Sequence, residues 1–211
     1  ETIKPDLVLL SLTEVRPESM ALQQLKELEL LATRWSVAVG GQGASRVAAG
    51  VITEAIAAAD LSMSYINLLG SLNAQILLDH GDPTVATPWL ERLTAGDVIL
   101  ALALTEPAGG SDAARLSTKA TPAGDHYVLS GEKTSISAAD QAAAAVLFAR
   151  TGTTEEGARG VTAFLVPLDL PGITTSRFDC HGQRAIGRGS IFFDDVRLPA
   201  DHRLGGEGLG F

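Results

Sequence analysis

The chain has 211 residues, enough for one large core or two modest ones, and its 45% apolar and 19% charged composition is that of a folded protein. Its formal net charge is −9 and its 16 Lys and Arg are dispersed, so there is no basic stripe to neutralise phosphates, and nucleic acid is excluded as the expected partner. A lone cysteine, Cys180, excludes an internal disulfide, and no charged-then-apolar leader or apolar run of about 18 residues is visible, so a cytoplasmic protein is expected.

Pro17 opens a helical pattern with Leu22, Leu25, Leu28 and Leu31 along one face. The turn "GGQGAS" breaks it, and Ser45 is placed to cap a second helix in which Val47, Val51, Ile52, Ala55, Ile56 and Ala59 recur at helical spacing. A third helix is expected from about Ser62 to Asp79, with Ile66, Leu69, Leu72 and Ile76 on its apolar face, stopping near Gly81 at a left-handed residue. Pro83 starts a short fourth helix with Trp89, Leu90 and Leu93, which "TAGD" ends. After Gly96 the period becomes extended. Val98 to Leu104 is a short apolar run of the kind that forms a buried strand, and Thr118–Thr121, "HYVLSG", "AAVLFAR", "TAFLVPL", "ITTSRF" and "SIFFDDVRL" follow between turn clusters. Helices first and strands second, without alternation, predict an α+β protein: a helical domain over residues 1–97, then an antiparallel sheet or small β-barrel over 98–211.

Several chemistries fail on residue spacing. "GGQGAS" has Arg46 where a dinucleotide fingerprint needs its third glycine, and it follows a helix rather than a strand. There is no P-loop, and Ser111 and Ser190 lack the G-x-S-x-G elbow of a serine hydrolase. His80, His126, His181 and His202 are far apart, and Cys180 with His181 cannot supply a three- or four-ligand metal set, so no metal is expected. Asp194 and Asp195, adjacent in a strand, are expected on opposite faces and so are badly placed as an acid/base pair; a turn or strand end before "VRLP" is expected there.

The segment "LALTEPAGGSDAARL", Leu102 to Leu116, is different. An apolar strand breaks into a loop that presents Thr105, Glu106, Ser111 and Asp112, with small residues and backbone N–H groups where a flat or anionic ligand can approach closely. Composition alone favours a plain turn, because Pro and Gly punctuate most loops.

Six segments in order resemble the flavin-dependent acyl-CoA dehydrogenases. "GGQGAS" resembles that family's glycine turn, "GSLNAQILLDHGDPTVATPWLERLTAGD" its next helical pair, and "LALTEPAGGSD" its T-E-P-x-x-G-S-D signature. "YVLSGEKTSIS" resembles its G-x-K-x-W-I-T segment, "GVTAFLVPLDLPGI" its next strand pair, and "IFFDDVRLPADHRLGGEGLGF" its F-D-D-V-x-x-P stretch. The resemblance implies a helical N-terminal domain, a β-barrel middle domain, and a C-terminal helical bundle absent from this chain. The chain starts without methionine and ends after a glycine cluster, and is expected to be a fragment.

Carried over residue by residue, the resemblance implies FAD as cofactor. Thr105 would face the pyrimidine side of the ring, flanked by Leu102 and Leu104. Gly110 and Ser111 would lie near the flavin pyrophosphate or the substrate's phosphopantetheine arm, and Ser137 matches the threonine of W-I-T, whose hydroxyl lies near flavin N5. Ser135 stands where the family has Trp, so an aromatic wall is lost. Ile186 replaces a small polar residue usual after "GQRA". The implied reaction is α,β-dehydrogenation of an acyl thioester, on CoA or an acyl-carrier protein, with an electron-transfer flavoprotein as possible acceptor and a homo- or hetero-tetramer as the full-length assembly. The family's base is a glutamate, and neither Glu106 nor Asp112 matches its position, so no catalytic residue is named. Two alternatives stand beside it: a non-catalytic dehydrogenase-like subunit of a hetero-oligomer, and a flavin-dependent monooxygenase.

Overall fold

The computed structural model describes residues 46–211; the helix expected from Pro17, the "GGQGAS" turn and the Ser45 cap lie outside them. Three helices come first: α1 Arg46–Ala59, α2 Leu61–His80 and α3 Pro83–Ala95. Asp60 alone separates the first two. Its backbone is extended and its carboxylate accepts the Met63 N–H at 3.0 Å, which caps α2. Asp82 caps α3 through the Thr84 N–H at 2.8 Å, Pro83 occupies its first turn, and Gly96 closes it at φ 76°, in the left-handed region.

Gly81 corrects an expectation. Its φ is −77° and ψ 145°, extended rather than left-handed. Glycine is required there by space: a Cβ would lie 2.6 Å from the Ala86 Cβ and 2.6 Å from the Leu77 carbonyl oxygen. The stripe expected on α1 also divides. Ile52 and Ile56 are half-buried, while Val47 and Val51 are 76% and 60% exposed. The side of α1 that meets α2 is marked instead by Thr53, whose Oγ1 accepts the Asn67 Nδ2–H at 2.5 Å.

Eight strands follow: β1 Leu100–Ala103, β2 Lys119–Pro122, β3 His126–Ser137, β4 Ala144–Arg150, β5 Val161–Pro167, β6 Ile173–Arg177, β7 Arg188–Pro199 and β8 Arg203–Leu204. They form one sheet in the order β6-β7-β3-β2-β4-β5-β8, with β1 alongside β4. This departs from the antiparallel barrel in two ways. β1 runs parallel to β4, and β2 meets β4 in parallel through the pair Lys119↔Arg150. The hydrogen-bonded path is also open, ending at β6 and β8. Beyond Leu204 the chain turns at Gly205, φ 71°, whose N–H donates to the His80 carbonyl at 2.7 Å, so it leaves the sheet for the end of α2.

The open sheet nevertheless folds over itself. The rings of Tyr127 on β3 and Phe164 on β5 meet edge-on with centroids 4.8 Å apart. β2 and β4 lie between those strands, so a flat sheet would hold them about 14 Å apart. One core therefore fills the fold, joining Leu129, Ile191, Val196 and Leu198 to Leu147 and Val166. A second core lies between the sheet and the helices, joining Ala74, Leu77, Ala86 and Leu93 to Leu100, Val146, Phe148 and Leu165.

β4 explains why its sequence is an unbroken apolar run. Ala145, Leu147 and Ala149 face the inner core, and Ala144, Val146 and Phe148 face the helices, so no position meets water. Asn73, 0% exposed, adds a directional tie by donating from Nδ2 to the Leu100 carbonyl at 2.8 Å. That bond fixes α2 against the strand leading into the "TEP" segment. Among the described residues, no helix is long and apolar enough to cross a membrane.

Candidate functional site

The parallel ladder of β1 on β4 ends at Ala103↔Leu147, so Leu104, Thr105 and Glu106 lie beyond it. They are held by β3 instead. The Lys133 ammonium donates to the Leu104 carbonyl at 3.0 Å, the Thr134 N–H donates to the Thr105 carbonyl at 2.9 Å, and the same ammonium meets Glu106 Oε1 at 2.7 Å. Three consecutive residues of the loop are thus each bonded to Lys133 or Thr134.

Lys133 is 0% exposed and the Glu106 side chain 4%. Glu106 Oε1 also accepts the Thr118 N–H at 2.9 Å, and Oε2 accepts the Ser117 N–H at 2.6 Å and its hydroxyl at 2.7 Å. Burial by itself raises the Glu106 pKa, but the donors from Lys133, Thr118 and Ser117 outweigh it and hold the carboxyl down at about 2. Burial depresses the lysine to about 8, opposed by its bond to Glu106. Glu106 is therefore a committed anion. A carboxylate that already accepts four hydrogen bonds has no capacity to take a substrate proton near neutral pH.

The Glu106 and Gly109 N–H groups each donate to the other's carbonyl at 3.2 Å, closing the turn over Pro107 and Ala108. Gly110, Ser111 and Asp112 then continue at the surface. A Cβ at Gly110 would be 3.7 Å from the Thr105 Cγ2, which places that glycine beside the Thr105 side chain. Arg150 anchors the far side of the loop. Its buried guanidinium donates to the carbonyls of Leu116 at 2.9 Å, Ala114 at 2.6 Å, Thr153 at 2.8 Å and Gly157 at 3.2 Å.

On β3, the register against β7 slips between Lys133 and Ile136. Ser135 sits in that bulge at φ 57°, a strained conformation for a residue with a Cβ, costing about 1 kcal/mol. Its carbonyl accepts from Arg188 Nη2 at 3.4 Å, and Ser137 lies opposite Arg188 in the ladder. Ile186, 2% exposed, packs with Leu69, Ile99 and Ala138, and Leu102 lies against the same cluster. An isoleucine fits there because the position is apolar core.

Of the predicted site residues, Leu102, Leu104 and Thr105 are brought to the end of β3 that carries Ser135 and Ser137, and all five are half-buried. Gly110 and Ser111 are exposed on the adjoining loop. The hydroxyls of Thr105, Ser111, Ser135 and Ser137 make no hydrogen bond among the described residues. Sequence reasoning missed Lys133 and Arg150. The available signals were a lysine inside an alternating strand and an arginine closing a wholly apolar one.

Asp194 and Asp195 need a different account from the expected one. They lie within β7, not at a turn or strand end; the register slips there, Asp195 has φ 49°, and both residues are exposed. A bulge breaks the alternation, and Asp195 accepts the Ser130 hydroxyl at 2.7 Å. Among the described residues no three His, Cys, Asp or Glu side chains are grouped to hold a metal ion.

Signatures described as "Acyl-CoA dehydrogenase, N-terminal domain" and "Acyl-CoA dehydrogenase, middle domain" match residues 3–97 and 101–196. The chain belongs to the acyl-CoA dehydrogenase family. It is 37% identical over 186 residues to the human mitochondrial short-chain specific acyl-CoA dehydrogenase, a match covering 87% of this chain and 45% of that protein. The crystal structure of an acyl-CoA dehydrogenase from Geobacillus kaustophilus is similar with a TM-score of 0.82 and 29% identity, covering 93% of this chain and 52% of that one. A glutaryl-CoA dehydrogenase from Mycobacterium smegmatis in complex with FADH2 is similar at 0.79 and 30%, covering 92% and 49%. The chain spans about half the length of the acyl-CoA dehydrogenases it matches.

Proposed function

We propose that this chain, as helical and sheet domains over residues 1–97 and 98–211, supplies the sheet side of an FAD and acyl-thioester site, and that the full-length protein converts a short acyl-CoA to its trans-2-enoyl thioester. The observation that carries the reading is the bond from the Thr134 N–H to the Thr105 carbonyl, which unites the "TEP" segment and the end of β3 in one surface. The donors suit a flavin. Thr105, Ser135 and Ser137 offer hydroxyls with no protein partner among the described residues, and the absence of side chains at Gly109 and Gly110 keeps the loop backbone accessible.

When bound, FAD supplies the two-electron acceptor for the substrate's β-hydride. Thr105 and Ser137 would hold the ring through their hydroxyls, placed to donate hydrogen bonds to its polar atoms. Leu102 and Leu104 would give the ring an apolar flank and exclude water from it. Ser111 and the Gly110 backbone would hydrogen-bond a phosphate of the cofactor or the amide arm of the thioester. Neither carboxylate of the loop is assigned the base's role: Glu106 is saturated with hydrogen bonds, and Asp112 lies exposed on the loop surface. Short-chain thioesters are the proposed substrates because the human relative is specific for them by name. An electron-transfer flavoprotein is the proposed acceptor and a tetramer the proposed assembly.

The test is anaerobic titration of the purified full-length protein with butyryl-CoA. A yellow protein that bleaches supports the reading, and Thr105→Val is expected to weaken FAD binding about tenfold. A colourless protein that takes up flavin only when co-expressed with a homologous chain would replace it with the non-catalytic subunit. Oxygen-dependent hydroxylation would replace it with the monooxygenase.

A further inference from the structure

We infer that Lys133 and Glu106 are positioning residues, a buried staple that sets the backbone of residues 104–106 against β3 and so fixes the face that Thr105 presents to the flavin. The inference rests on the flavin reading for its consequence, but not for its geometry. The ladder that orders β1 stops at Ala103, so sheet pairing leaves the direction of the next three residues open. The Lys133 ammonium closes that freedom from both sides of Thr105, binding the Leu104 carbonyl at 3.0 Å and the Glu106 carboxylate at 2.7 Å. Thr105 itself then has its carbonyl on Thr134, leaving its hydroxyl for a ligand.

Stability is a poor reason for such a pair. Burying both charges costs nearly what their attraction returns, and an apolar pair of similar size is often as stable. What the pair adds is direction. A buried ammonium must have its donors met, and here both acceptors belong to the segment that must be aimed, so it holds Leu104 and Glu106 at one point. Glu106 is itself anchored through the Ser117 and Thr118 amides, so the staple ties the loop to the start of β2 as well as to β3.

The full-length protein carrying Lys133→Met together with Glu106→Gln tests this, with Leu198→Ala as a control that opens the same inner core away from the loop. Two readouts separate the inference from the reading beneath it. The first is hydrogen exchange at the Thr134 amide, expected to accelerate at least about tenfold in the double variant while the amides of β4 and β5 stay protected. The second is FAD binding followed by flavin fluorescence, expected to weaken about tenfold in the double variant and to be unchanged in Leu198→Ala. A double variant with wild-type exchange at Thr134 overturns the staple whatever the flavin does. Accelerated exchange with unchanged FAD affinity overturns the link to Thr105. A wild-type protein that binds no FAD sinks the flavin reading, and the exchange experiment still decides the staple.

Discussion

Replacing Glu106 by Gln should remove a definite part of the protein's acid sensitivity. The ordinary glutamate value is 4.5 and the folded carboxyl is held at about 2. A depressed folded pKa means that the ionised form is favoured by folding. Its contribution is complete above the unfolded value and is lost as pH falls from about 4.5 towards about 2. The full difference corresponds to about 3 kcal/mol, and lowering pH from 6 to 3 should cost the wild type about 2 kcal/mol through this group alone. The side chain is almost fully buried, so little of this is screened by solvent. Urea unfolding of wild type and Glu106→Gln, followed by near-ultraviolet circular dichroism at intervals from pH 6 to pH 3, isolates the contribution of Glu106, because every other carboxylate titrates in both proteins. The wild type should be the more stable at pH 6 and the two should converge towards pH 3. Parallel curves would refute the assignment of Glu106 as an anion held by Lys133, Ser117 and Thr118.

Gly81→Ala should lower the melting temperature by an amount equivalent to about 1–3 kcal/mol, since the new Cβ meets a backbone oxygen at 2.6 Å, whereas Gly109→Ala, with open space around it, should leave it nearly unchanged. Ile186→Ala should cost about 2–4 kcal/mol in a denaturant titration, because its cluster with Leu69, Ile99 and Ala138 would be left with a cavity. A double-mutant cycle on Tyr127 and Phe164, each replaced by Leu, should return a coupling of about 0.5–1.5 kcal/mol; a coupling of zero would argue against the contact that folds β5 back over β3.

Much of the architecture is local and was therefore legible in the residues. Pro83 and Gly96 bracket α3 as read, and β4 to β7 fall on the extended runs quoted for them, while β3 begins on "HYVLSG" and continues to Ser137, because a strand's period and its turn residues are properties of a few neighbours. The motif series that resembles the acyl-CoA dehydrogenases was legible for the same reason, and the family signatures match residues 3–97 and 101–196.

What the residues did not contain was which distant segments meet. "AAVLFAR" reads only as an extended run, and the folded chain decides that helices cover one of its faces and the inner core the other. Gly81 looked like a left-handed stop and is instead a space requirement imposed by Ala86 in the next helix. The motif series set Glu106 apart from the family's base, but what it does instead was decided by Lys133, 27 positions away, and by the amides of Ser117 and Thr118. Periodicity and turn chemistry act over a handful of residues, so sequence alone determined the elements and the site's motifs. Ion pairing, desolvation and cavity shape depend on atoms brought together from far apart, so only the tertiary structure decided which of those residues are free to act and which hold the others in place.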